Sequence, residues 1–139
     1  MPEFVLDMGS PEAGRRFNDL DRFTQGYIRT AFWTLIDDQG NPLEAEFASL
    51  SPETLAQMIE DCTSFNQIAD VWLDKAYLRG DMSYDMERAG TDFWLTRNRH
   101  GAGYWDRGLG AAGDTLTEFA HSFGGCDLYR GDDGLIYSA

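Results

Sequence analysis

The sequence predicts an α+β fold: a single domain with two N-terminal helices, one of them long, and a later helix packed on a small antiparallel sheet. Three observations carry this. Apolar residues recur at helical spacing from Leu20 to Leu35, and again from Leu55 to Ala76. Two β-rich runs at 126–130 and 135–138 flank Gly131-Asp132-Asp133-Gly134, a hairpin-loop signature. Helices thus come first and strands collect at the end, the order of α+β rather than of alternating α/β chains.

Residues 1–16 hold Pro2, Gly9, Pro11 and Gly14 and little periodicity beyond Phe4, Val5 and Leu6, so they read as an arm or short edge strand before a domain at 17–139. Asn18 or Asp19 can cap a first helix of about 19–35, with Leu20, Phe23, Tyr27, Ala31 and Leu35 inward. Gly26 weakens that helix but permits a close neighbour. The β-rich stretch 30–36 also fits a strand, and the turn-rich 37–42 ends the element in either case.

Ser51-Pro52-Glu53 is a helix start: a capping serine, a proline suited to the first turn, and an acid at the positive end of the dipole. No breaker follows until Gly80, which predicts about 27 residues of helix, about 40 Å long. Leu55, Met58, Ile59, Cys62, Phe65, Ala69, Trp72 and Ala76 hold its inner face. Opposite them, Glu53, Glu60, Gln67 and Asp74 stand seven apart, two turns each, with Asp70 beside them. The plain reading of that stripe is a solvated face; the sharper one is a partner-binding surface.

A short helical turn is expected at 82–89 and a strand at 92–97. A glycine-rich loop follows, then a helix at 109–123 with Leu116, Phe119, Ala120 and Phe123 inward and Gly124-Gly125 stopping it.

Size and composition narrow the function classes. The 139 residues suffice for one core without staples, and nineteen aromatics (four Trp, six Tyr, nine Phe) argue against a disordered acidic tail. No apolar run is long enough to span a bilayer and no signal peptide is evident, so a cytoplasmic location and no membrane contact are expected. Cys62 and Cys126 have neither metal spacing nor disulfide density and are read as reduced, Cys62 in the core. Against eleven basic residues stand 24 acidic ones, for a net charge of -13. Such a field repels nucleic-acid backbones and attracts basic surfaces.

The stretch 91–108, TDFWLTRNRHGAGYWDRG, is the exception. Arg97, Arg99, His100 and Arg107 cluster there among Phe93, Trp94, Tyr104 and Trp105. Gly101 and Gly103 could expose backbone amides to an anion, and Trp94, Tyr104 and Trp105 could stack on bases. His100 with Asp106 or Asp92 could form an acid–base pair, but neither Thr96 nor Ser83 is patterned as a nucleophile. The structural alternative is that the arginines neutralise Asp92, Asp106 and Asp127 while the aromatics join the core. There is no Walker loop, since the one lysine, Lys75, lies in the long helix. Asp132-Asp133-Gly134 lacks the ligand pattern of a calcium loop, and two histidines, His100 and His121, do not make a zinc site. No cofactor, metal or enzymatic activity is expected.

Several segments, TDFWLTRN, HGAGYWDRGLG, DTLTEFAHSFG, DLYRGDDG and LIY at 91–137, FNDLDRFTQGYIRTAFWT at 17–34 and LSPETLAQMIEDCTSFNQ at 50–67, resemble a family of small bacteriophage and prophage proteins. The resemblance covers most of the chain and implies an origin, though no mechanism. Members tend to carry glycine where this chain has Arg99, and an acid near Arg29. Combined with the charge, the expectation is a phage-type acidic accessory protein that binds a host protein with a basic surface, as a nucleic-acid mimic acting against defence or in host takeover. Its partner-binding residues would be Glu53, Glu60, Asp70 and Asp74. The alternative is a nucleic-acid or nucleotide binder working through 91–108, which the overall charge disfavours. The long helix and exposed aromatics would also suit a homodimer, and a virion component is a further reading.

Overall fold

A computed structural model describes residues 4–79 and 84–139. Among the described residues, five helices, α1 (Pro11–Asn18), α2 (Arg22–Trp33), α3 (Pro52–Arg79), α4 (Met86–Arg97) and α5 (Ala111–Ser122), precede a hairpin of β1 (Leu128–Arg130) and β2 (Ile136–Ser138). The architecture is therefore mostly helical, with a two-stranded antiparallel sheet at its C-terminal end.

The supposed arm is part of the domain. Ser10 Oγ accepts from the Ala13 amide at 3.1 Å, Pro11 occupies the first turn, and α1 buries Ala13 and Phe17. Two backbone bonds, Phe47 N–H to Asp7 O at 2.8 Å and Ala48 N–H to Met8 O at 3.0 Å, hold the segment before it. No edge strand forms at 4–6; Leu6 is instead buried in the core. Eight residues give barely two turns, too short a window for a period to stand out.

α2 starts three residues later than expected because Asp21 is the cap: its carboxylate accepts from the Thr24 amide at 2.8 Å. Helix runs through Trp33, so 30–36 is not a strand; Ile36 makes only an isolated bridge to Pro42. α3 matches its expected span, with Ser51 Oγ accepting from the Thr54 amide. The expected stop at Gly80 and the start of the 82–89 turn lie outside the described residues.

The strand expected at 92–97 is the second half of α4, capped by Asp85. All six residues, Asp92 to Arg97, are buried. A segment buried all round shows neither a two-residue nor a 3.6-residue period, so its sequence alone could not separate strand from helix. What buries it is α2. A Cβ on Gly26 would lie 2.0 Å from Glu87 O, and one on Gly90 would lie 1.8 Å from Phe23 O. Each helix thus brings a glycine to the other's backbone, the close approach that Gly26 suggested.

Around this crossing Phe23, Phe65, Phe93, Tyr27 and Tyr104 fill the core; the Phe65 and Phe93 rings stack at 4.2 Å between centroids. The hairpin pairs Tyr129 with Tyr137 and closes through Gly134 at φ +85°. The expected packing of the hairpin under the last helix is corrected in part: β2 adjoins the start of α3, where Ser51 N–H donates to Ile136 O and Ser138 N–H to Thr54 Oγ1. α5 packs on α3 and α4.

Burial pushes the hydroxyls of Tyr27, Tyr77, Tyr84 and Tyr104 above the ordinary tyrosine value. A raised folded-state value means that stability is complete below the unfolded tyrosine pKa, about 10, and is lost as pH rises beyond it. In an alkaline titration these four should ionise only as helicity is lost. Tyr137 is different: its hydroxyl donates to Asp133 at 2.5 Å, and that bond pushes it up to about 12. Phenolate absorbance from all six tyrosines near pH 10, with helicity intact, would contradict this packing.

Candidate functional site

The residues singled out at 91–108 separate into two groups. Trp94, Arg97 and Tyr104 are buried. Trp94 donates its indole N–H to Thr34 Oγ1 at 2.8 Å and meets Tyr27 edge-on. Tyr104 donates its hydroxyl to Ala89 O at 2.6 Å. Neither ring presents a face on which a base could stack, which corrects that part of the expectation.

Arg97 is 5% exposed at its side chain and forms four kinds of contact. Its Nη1 donates to Tyr27 Oη at 2.9 Å and to Asp61 Oδ2 at 2.8 Å, its Nε to Gly124 O at 2.8 Å, and its Nη2 to Phe123 O at 3.1 Å. The guanidinium also lies over the Phe93 and Phe123 rings. Burial alone would lower its pKa; the Tyr27 hydroxyl and the Asp61 carboxylate outweigh that and hold it above its ordinary value. It ties α2, α3 and α4 to the turn after α5. Arg107 pairs with Asp92, which also accepts from the Tyr84 hydroxyl at 2.9 Å. Of the acids the arginines were expected to neutralise, Asp92 is paired, by Arg107; Arg97 instead uses Asp61 of the long helix, a partner 36 residues away that no sequence spacing marks.

Arg99, His100 and Trp105 remain exposed. Arg99 stands at φ +56°, a left-handed conformation that favours glycine. Among the described residues the His100 ring bonds to neither Asp92 nor Asp106, so the proposed acid–base pair is not assembled. No group of three or more potential metal ligands gathers among the described residues.

Three cations outside the loop are also held by partners in the fold. Arg22 and Arg29 both pair with Glu87, and Arg130 donates to Glu44 O at 2.8 Å. By contrast, Glu53, Glu60, Asp70 and Asp74 are all exposed and make no salt bridge among the described residues. They lie along one rigid helix, and Glu53 to Asp74 spans about 32 Å at 1.5 Å per residue. Two apolar residues whose exposure no sequence signal marked share their face. Val71 falls three residues before Asp74 and Leu78 four after it, which places both in the acidic stripe; they are 60% and 88% exposed. Their position was legible from the spacing, but their exposure was not.

No helix among the described residues is long and apolar enough to cross a membrane. Comparisons with protein-family models, with curated proteins and with solved structures find no significant match to this chain.

Proposed function

We propose that this chain is an acidic accessory protein that binds a partner protein through the outward face of α3. The observation that carries the reading is the mixed face itself, with four carboxylates that make no salt bridge among the described residues interleaved with exposed Val71 and Leu78. Protein interfaces combine an apolar centre with a polar rim, and two exposed aliphatics set among carboxylates have that arrangement. The net charge of -13 selects a basic partner and speeds its encounter. The phage resemblance makes that partner a host protein, and the basic groove of a nucleic-acid-binding protein has the fitting chemistry. Acids seven residues apart stand about 10 Å from one another, much sparser than the phosphates of a duplex. Any nucleic-acid mimicry therefore concerns the sign of the field and not the spacing of its charges.

The test is affinity purification from the host, followed by measured binding of the captured protein. Wild-type affinity should fall steeply as salt rises, and duplex DNA should compete. The variant E53Q/E60Q/D70N/D74N should bind at least about tenfold more weakly at low salt, with its fold unchanged. A captured partner that the variant binds as tightly as wild type would sink the reading.

A further inference from the structure

We infer that a groove beside the end of α2 is a second docking site, for a short apolar segment flanked by Lys or Arg in a partner protein. The groove has a volume of about 760 Å³ and shares no residue with the outward face of α3. Buried Phe32 and Leu35 form its floor, and Val5, Trp33 and Leu43 contribute its walls. Val5 is 80% exposed and Trp33 44%, an unusual outlay of apolar surface at one place on so polar a chain. Pro42, also on the groove, bridges to exposed Ile36, so the apolar surface continues past the cavity. A ligand that covered it all would be longer than a small metabolite.

Charge selects the occupant. Asp7, Glu44 and Glu46 rim the groove against one cation, Arg130, whose Nη2 is already donated to Glu44 O. None of the three carboxylates makes a salt bridge among the described residues. An acidic or purely apolar peptide would leave them facing apolar groups without a counter-charge, whereas Lys or Arg on either side of an apolar anchor would pair with them. A second copy of this chain fits poorly, because each copy carries a charge of -13. Trp33, half-exposed on the groove wall, is the residue type that most often anchors such contacts.

The experiment pans the immobilised full chain against a random displayed-peptide library and then measures binding of the enriched peptides by fluorescence anisotropy. Enriched sequences are expected to place two apolar residues between Lys or Arg. Their affinity should drop about tenfold or more in Trp33→Ala and should also drop in Glu44→Lys, an exposed site where misfolding is not a concern. It should stay at the wild-type value in E53Q/E60Q/D70N/D74N, which separates this site from the α3 face. Four results would overturn the inference: no enrichment, enrichment without basic residues, binding indifferent to both groove variants, or a Trp33-dependent dimer in sedimentation.

Discussion

Gly90→Ala is expected to destabilise the chain by about 3 kcal/mol or more, although alanine is the better helix former by about 1 kcal/mol. The new Cβ would sit 1.8 Å from Phe23 O and 2.8 Å from Phe23 C. Both are backbone atoms inside α2, so no side chain can swing aside. The helices would have to part by more than about 1 Å before reaching ordinary contact at about 3.5 Å. That movement would loosen the tilted ring contacts of Phe93 with Phe23 and Tyr27 that lie at the crossing. Gly26→Ala should act in the same way against Glu87 O. Gly101→Ala is the control, since nothing lies within 4 Å of its added methyl, and it should change stability little. Urea denaturation reads the effect directly, and in thermal melts the loss corresponds to roughly 10 °C. A Gly90→Ala variant as stable as wild type would mean that α2 and α4 do not cross at these glycines.

Arg97→Ala should cost about 3–5 kcal/mol, the usual penalty for removing one member of a buried, hydrogen-bonded charge pair. Four acceptors lose their donor together: the Tyr27 hydroxyl, the Asp61 carboxylate, and the carbonyls of Phe123 and Gly124. Arg97→Lys should recover only part of the loss. An ammonium keeps the charge, but it cannot reach these directions at once as the planar guanidinium does. A double-mutant cycle with Asp61→Asn, followed by chemical denaturation, isolates the ion pair from the carbonyl bonds. If Arg97→Ala unfolds within about 1 kcal/mol of wild type, the residue is not the tie between the helices that its contacts indicate. An anion-binding arginine would behave differently, because its removal would cost ligand affinity and leave stability nearly intact.

These two residues also mark how far the sequence could be read. Gly26 could be identified as a site of close approach, because a glycine within an otherwise periodic helix has few other uses. Its counterpart Gly90 could not, since it preceded a segment whose continuous burial hid its period and made it read as a strand. Arg97 read either as an anion-binding cation or as a partner of local acids, because Arg99, His100 and Gly101 follow it closely in sequence. Its neighbours in space are Tyr27, Asp61 and the end of α5, brought together only when α4 packs as a helix. α1 was missed for another reason. Its capping signal, Ser10-Pro11-Glu12, is as clear as that at Ser51, but the helix behind it is two turns long and buries just two side chains. The acidic stripe, by contrast, was fully legible: seven-residue spacing places acids on one face wherever the helix sits.

The sequence by itself determined the long helix with its cap, its acidic outward face, the C-terminal hairpin and the strong negative charge. Each of these follows from local spacing or from a sum over residues. Only the tertiary structure decided that Trp94, Arg97 and Tyr104 of the aromatic, arginine-rich stretch are core while Arg99, His100 and Trp105 stay outside, that Val71 and Leu78 stand open among the acids, and that a groove forms beside Trp33. Burial and exposure depend on which surfaces meet across the chain, and no local period encodes that.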